Sequence, residues 1–177
     1  MHYHVYVTSV PNSSQVGHEL AMRLRGACSF LRRRTSAALA SAGMSADQFV
    51  MLTVLERQGP ATQQDLVSRC NSDTNTVGAM LALLETRDLV VRTAHSADGR
   101  AWMVSLTRAG KALQKKAWNQ SETLRGELAD LFSPEETGVL LNLLDRITET
   151  MRPRSKGPNK PATARDAAYQ LNVRVNQ

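Results

Sequence analysis

Cysteine and histidine, two versatile side chains for bond-making chemistry, are few in this sequence, at two and four. Cys28 and Cys70 are the only cysteines, and their 42-residue separation fits neither a disulfide framework nor a zinc motif. They read as two reduced thiols, since free cysteine packs readily among apolar neighbours. His2, His4 and His18 could be imagined as a metal site, but no clustered carboxylate or thiol accompanies them. No metal and no cofactor are therefore expected. No histidine or cysteine stands in a recognisable nucleophile–base pairing, and there is no glycine-rich phosphate loop, which argues against an enzyme. What the chain does carry is hydrogen-bonding chemistry. Ser72, Thr74, Asn75 and Thr76 set four short polar side chains just ahead of the apolar Val77 and Met80. Such a helix start suits base edges in a groove roughly 12 Å wide, and its free N–H groups suit phosphate. Asp98, Gly99 and Arg100 follow in a polar stretch between two β-prone runs, where an arginine on a hairpin tip would suit a minor groove.

These groups need a scaffold, and the spacing of apolar residues supplies one. Leu20, Leu24, Ala27, Leu31, Ala38 and Leu39 recur at the helical period and predict a helix from about 16 to 41, stopped by Gly43. Ser45 with Gln48 makes a capping box for a second helix over about 46–57, burying Phe49, Val50, Leu52, Val54 and Leu55 and ended by Gly59-Pro60. Thr62 with Asp65 opens a short helix to about Arg69, and Asn71 sits where a left-handed residue is tolerated. Asp73 can then cap a helix over about 74–87 with Val77, Met80, Leu81 and Leu84 inward. Residues 89–92 and 102–106 are short β-prone runs around a polar hairpin tip. Thr107 is expected to cap one long helix over about 108–131. Ser133, Pro134 and Glu136 begin another, whose stripe is Val139, Leu140, Leu143, Leu144 and Ile147.

Net charge is +6, but Arg152, Arg154, Lys156, Lys160, Arg165 and Arg174 stand against one acid, Asp166, beyond residue 151. Five of the six net charges therefore belong to a Pro-rich tail that reads as an extended arm, and basicity says little about the body. Arg32-Arg33-Arg34 reads as a solvated helix face, with a phosphate clamp as the other reading. No apolar run approaches the roughly 18 residues a membrane span needs. The first residues lack the basic-then-apolar plan of a secretion signal, so the expected location is the cytoplasm.

The order helix, short helix, turn, second helix and basic-tipped hairpin is the winged helix-turn-helix plan. The segment from TQQDLVSRC to ADGRAWMVSLTRAG resembles the MarR family of bacterial repressors, through Asp98, Gly99, Arg100, Val104, Leu106, Thr107 and Gly110. The resemblance runs from about Leu20 to Met151 and is strongest from Gly59 to Gly110. It implies a mainly α fold with a small two- to three-stranded antiparallel β-wing, in a homodimer. It divides the chain into an arm (1–15), a helical dimerisation region (16–42 and 108–151), a DNA-binding lobe (43–107) and a basic tail (152–177). It also implies binding to an inverted-repeat operator in double-stranded DNA, with repression released by a small, anionic aromatic effector. Arg100 would enter the minor groove with Asp98 bracing it. The expected DNA contacts are Thr62, Gln63, Ser72, Thr74, Asn75, Thr76, Arg87, Asp98 and Arg100. His18, Arg23 and Arg25 are the candidates for an effector carboxylate. The chain departs from the family where Gly78 and Ala79 replace Thr and Arg, and where Asp88 replaces a glycine. Two alternatives remain at this point: a redox-responsive regulator using Cys28, and a winged helix that contacts only protein. Cys70 falls where the family buries a leucine.

Overall fold

Six of the seven described α-helices begin where a short polar side chain accepts from a free N–H group of the first turn. The computed structural model describes residues 12–94 and 102–152. Helix α1 (Ser13–Ala38) opens at Asn12, whose side chain accepts from the Ser14 amide, so it starts a turn earlier than the apolar spacing suggests. It ends at Ala38 rather than Ser41. A 3-10 turn (Ala40–Ala42) and left-handed Gly43 follow. Helix α2 (Ala46–Gln58) carries the expected Ser45–Gln48 capping box. Its inward residue is Met51, which is fully buried, whereas Val50 faces outward, contrary to expectation. Position 51 stands with Phe49, Leu52 and Leu55 on the side that meets the core, and position 50 does not.

Strand β1 (Ala61–Thr62) leads into α3 (Gln63–Arg69), and the turn through Asn71, at a φ of 48°, leads into α4 (Thr74–Thr86). Asp88, which replaces a family glycine, adopts the left-handed conformation after α4, at a φ of 53°. Strands β2 (Val90–Ala94) and β3 (Trp102–Leu106) pair antiparallel with Val90 opposite Leu106 and Ala94 opposite Trp102. The sheet has three strands in the order β1-β3-β2, because Ala61 and Thr62 pair with Val104 and Met103.

The predicted long helix after Thr107 is broken in two, α5 (Arg108–Gln120) and α6 (Glu122–Ala129). At the break the Trp118 carbonyl accepts from the buried Ser121 hydroxyl (3.0 Å) and from the Arg125 guanidinium (2.8 Å). Helix α7 (Pro134–Met151) has its proline in the first turn and a complete Ser133–Glu136 capping box.

The core joins α2, α3, α4, α5 and the sheet through Leu39, Met51, Leu52, Leu66, Val77, Leu81, Leu84, Val104 and Ala117. Gly110 marks its tightest point, since a Cβ there would collide with the Leu89 carbonyl oxygen. Helices α1 and α7 bury no residue. Their apolar side chains, among them Leu20, Phe30, Val139, Leu143 and Ile147, stand exposed, with Leu131 and Phe132 beside them. Arg32 reaches Asp47 (3.0 Å) and Arg34 reaches Glu127, so two of the three consecutive arginines are ion pairs that tie α1 to its neighbours.

Candidate nucleic-acid interface

Helices α3 and α4 form the helix-turn-helix, and their junction is fixed by caps at both starts. Thr62 and Asp65 cap α3 reciprocally, and the Thr62 hydroxyl also donates to Asp65 (2.8 Å). Asp73 accepts from the Thr76 amide (2.9 Å) and from its hydroxyl (2.7 Å). Those bonds hold the Asp73 carboxyl below its ordinary value. Thr62 and Thr76 thus use their hydroxyl protons within the fold. Thr74 and Asn75 stand exposed at the α4 start, with no side-chain hydrogen bond to another described residue, and Ser72 is half-buried beside them.

Gln63 crosses from α3 to α4. Its amide donates to the Thr74 carbonyl (3.3 Å) and lies 3.3 Å from where a Cβ on Gly78 would stand. Gly78 therefore forms a notch for Gln63, a role that sequence reasoning missed when it registered only the lost family residue. Arg87 is not brought together with the α4 start. It ends the same helix, about 20 Å away, and its guanidinium donates to the Gly43 carbonyl (2.8 Å). Asp98 and Arg100 lie outside the described residues, as do His2, His4 and the tail from 153 onward. The base of the β2–β3 hairpin is held on α4 by Arg92, 2.8 Å from Glu85, and Trp102 stands there half exposed.

On α1, His18, Arg23 and Arg25 are all exposed, and Arg23 pairs with Glu19. An open groove of about 490 Å³ is lined by Gln15, Val16, Glu19, Leu20 and Arg23, all from this one helix. It includes Arg23 but neither His18 nor Arg25. Cys28 is exposed. Cys70 is half-buried against the core, and burial pushes its thiol upward against the pull of Arg69. Sequence reasoning also missed a stack at the α2–α5–α6 junction, where the guanidiniums of Arg57 and Arg125 lie 4.4 and 3.4 Å from the Trp118 ring. Among the described residues no cluster of His, Cys, Asp or Glu could hold a metal ion, and no helix is long and apolar enough to cross a membrane.

A capped helix pair followed by a sheet whose hairpin packs on the second helix defines a winged helix-turn-helix protein. Residues 44–102 match the model of the MarR family. Among relatives, the HTH-type transcriptional regulator YdgJ of Bacillus subtilis is 29% identical over 108 residues, 61% of this chain and 66% of YdgJ, just under two thirds of that protein's length. The fold extends further than the family match. The organohalide-sensing regulator RdhR, in its 2,4-dichlorophenol-bound form, superposes with a TM-score of 0.70 at 19% identity, over 88% of this chain and 98% of its own. A cysteine-to-serine variant of MarR from E. coli, complexed with operator DNA, gives a TM-score of 0.67 at 22% identity, over 73% of this chain and 93% of its own.

Proposed function

We propose that this chain is a sequence-specific DNA-binding transcription regulator that acts as a homodimer in the cytoplasm, most simply as a repressor released by a small anionic aromatic effector. The observation that carries the reading is the exposed polar start of α4, capped by Asp73 and braced by Gln63. A second observation favours the dimer: α1 and α7 leave long apolar faces without a partner among the described residues. Two-fold pairing would set the recognition helices about one DNA turn apart on an inverted repeat. The effector reading is supported by the dichlorophenol-bound relative and by Arg23 in the α1 groove, which would be closed by a second subunit. An effector acts by favouring a dimer geometry whose two α4 helices no longer match successive major grooves.

The test is a mobility shift on DNA upstream of the chain's own gene, with the wild type and with Asn75→Ala combined with Arg100→Ala. The expected result is loss of the shifted band while sedimentation still gives a dimer. Unchanged binding by the double variant would remove the assigned contacts. Absence of any shift by the wild type, with the dimer intact, would favour a protein-contacting module.

A further inference from the structure

Helix α4 is unusual in what it lacks. Its thirteen residues, TNTVGAMLALLET, include no Lys, Arg, His or Gln, and its one acid, Glu85, is paired with Arg92. Asn75, Ala79, Ala82 and Thr86 recur at spacings of four, three and four, all exposed, opposite the buried Val77, Leu81 and Leu84. The outward stripe is therefore one amide followed by methyl groups, flanked by half-exposed Leu83 and by Thr76, whose hydroxyl proton is held by Asp73. Small side chains along this stripe also let the helix backbone approach the groove floor closely.

The two kinds of base pair present different edges to such a surface. Guanine offers two acceptors and is read by a fork of donors from arginine or lysine, and cytosine offers a donor that calls for a carboxylate. The outward face of α4 has neither. Adenine offers an acceptor and a donor side by side, the pattern an asparagine amide complements, and thymine offers a methyl that alanine or threonine can cover. We infer that α4 reads A·T pairs in the major groove of each half-site, Asn75 pairing with an adenine and Ala79 and Ala82 packing on thymine methyl groups, with no guanine-directed contact from this helix. This rests on the DNA-binding reading above and specifies the class of sequence that reading leaves open.

The experiment is selection from a pool of randomised duplexes with the full-length dimer, followed by atom-level substitution in the selected site. The expected consensus holds A·T pairs at the positions under α4. Replacing those thymines with deoxyuracil, which removes only the 5-methyl, should weaken binding about fourfold per covered methyl. Replacing the contacted adenine with 7-deazaadenine should weaken it about tenfold, and this loss should vanish in Asn75→Ala. The uracil step excludes selection of A·T pairs through minor-groove shape, because the methyl lies in the major groove. A fixed G·C pair at the uracil-sensitive centre, insensitivity to uracil throughout, or a 7-deazaadenine effect that persists in Asn75→Ala would each overturn the inference while leaving DNA binding standing. Failure to enrich any duplex would overturn both.

Discussion

Two glycines in this chain look alike in sequence and differ in what surrounds them. At Gly110 a Cβ would meet the Leu89 backbone oxygen, and neither the start of α5 nor the β2 entry can retreat from the other. At Gly78 the neighbour is the far end of the Gln63 side chain, which can swing aside. Gly110→Ala is therefore expected to lower stability by about 2–3 kcal/mol, whereas Gly78→Ala should raise it by about 0.5–1 kcal/mol through helix propensity. Urea unfolding of the two variants checks both signs. Gly110 was legible as part of the family pattern, though the Leu89 oxygen that requires it was not. Gly78 read as a missing contact, since nothing in a linear sequence indicates that a side chain fifteen positions earlier fills the space.

The helix starts were the most legible elements, because a cap is a local signal spanning four residues. Ser45–Gln48, Thr62–Asp65, Asp73, Thr107 and Ser133–Glu136 all cap as read. The break at Ser121 was hidden, because apolar positions continue through it and Ser121 closes the Trp118 carbonyl by a contact that periodicity does not register. The outward turn of Val50 was hidden too, since a helix with apolar residues on several sides does not declare which of them the core will take. The cap at Asp73 carries a pH dependence. Its carboxyl is held below the ordinary aspartate value of 3.8 by the Thr76 hydroxyl and amide. A lowered pKa in the folded state means that the cap's contribution is complete above the unfolded value and is lost as pH falls through the lowered one. The Thr76 amide resonance should accordingly titrate with a midpoint below 3.8, and Asp73→Asn, which keeps a capping oxygen, should abolish the titration.

At the scale of the molecule, one core joins α2, α3, α4, α5 and the sheet, while α1 and α7 bury no residue. The melting temperature of the full chain should therefore rise with protein concentration, as expected when folding and association are linked. Leu143→Glu combined with Ile147→Glu, on the exposed stripe of α7, should give a monomer with a folded winged lobe. Its operator affinity should fall by about 10²-fold or more, because the second half-site contact is no longer intramolecular. Sedimentation and a binding isotherm on the same sample separate the two effects. The apolar stripe itself was plain in the sequence. That it lies exposed among the described residues was not, because a sequence pattern cannot distinguish a face turned to the core from one left open.

The chain's only two tryptophans, Trp102 and Trp118, occupy different parts of this arrangement. Trp102 stands half exposed at the base of the hairpin, while Trp118 lies between α2 and α6 with two guanidiniums against its ring. The protein thus carries two intrinsic optical reporters that a soluble quencher can tell apart. Emission lost readily to iodide reports on the base of the hairpin, and under the proposed function it should change when DNA is added. The shielded remainder reports on the junction of α2, α5 and α6 around Trp118.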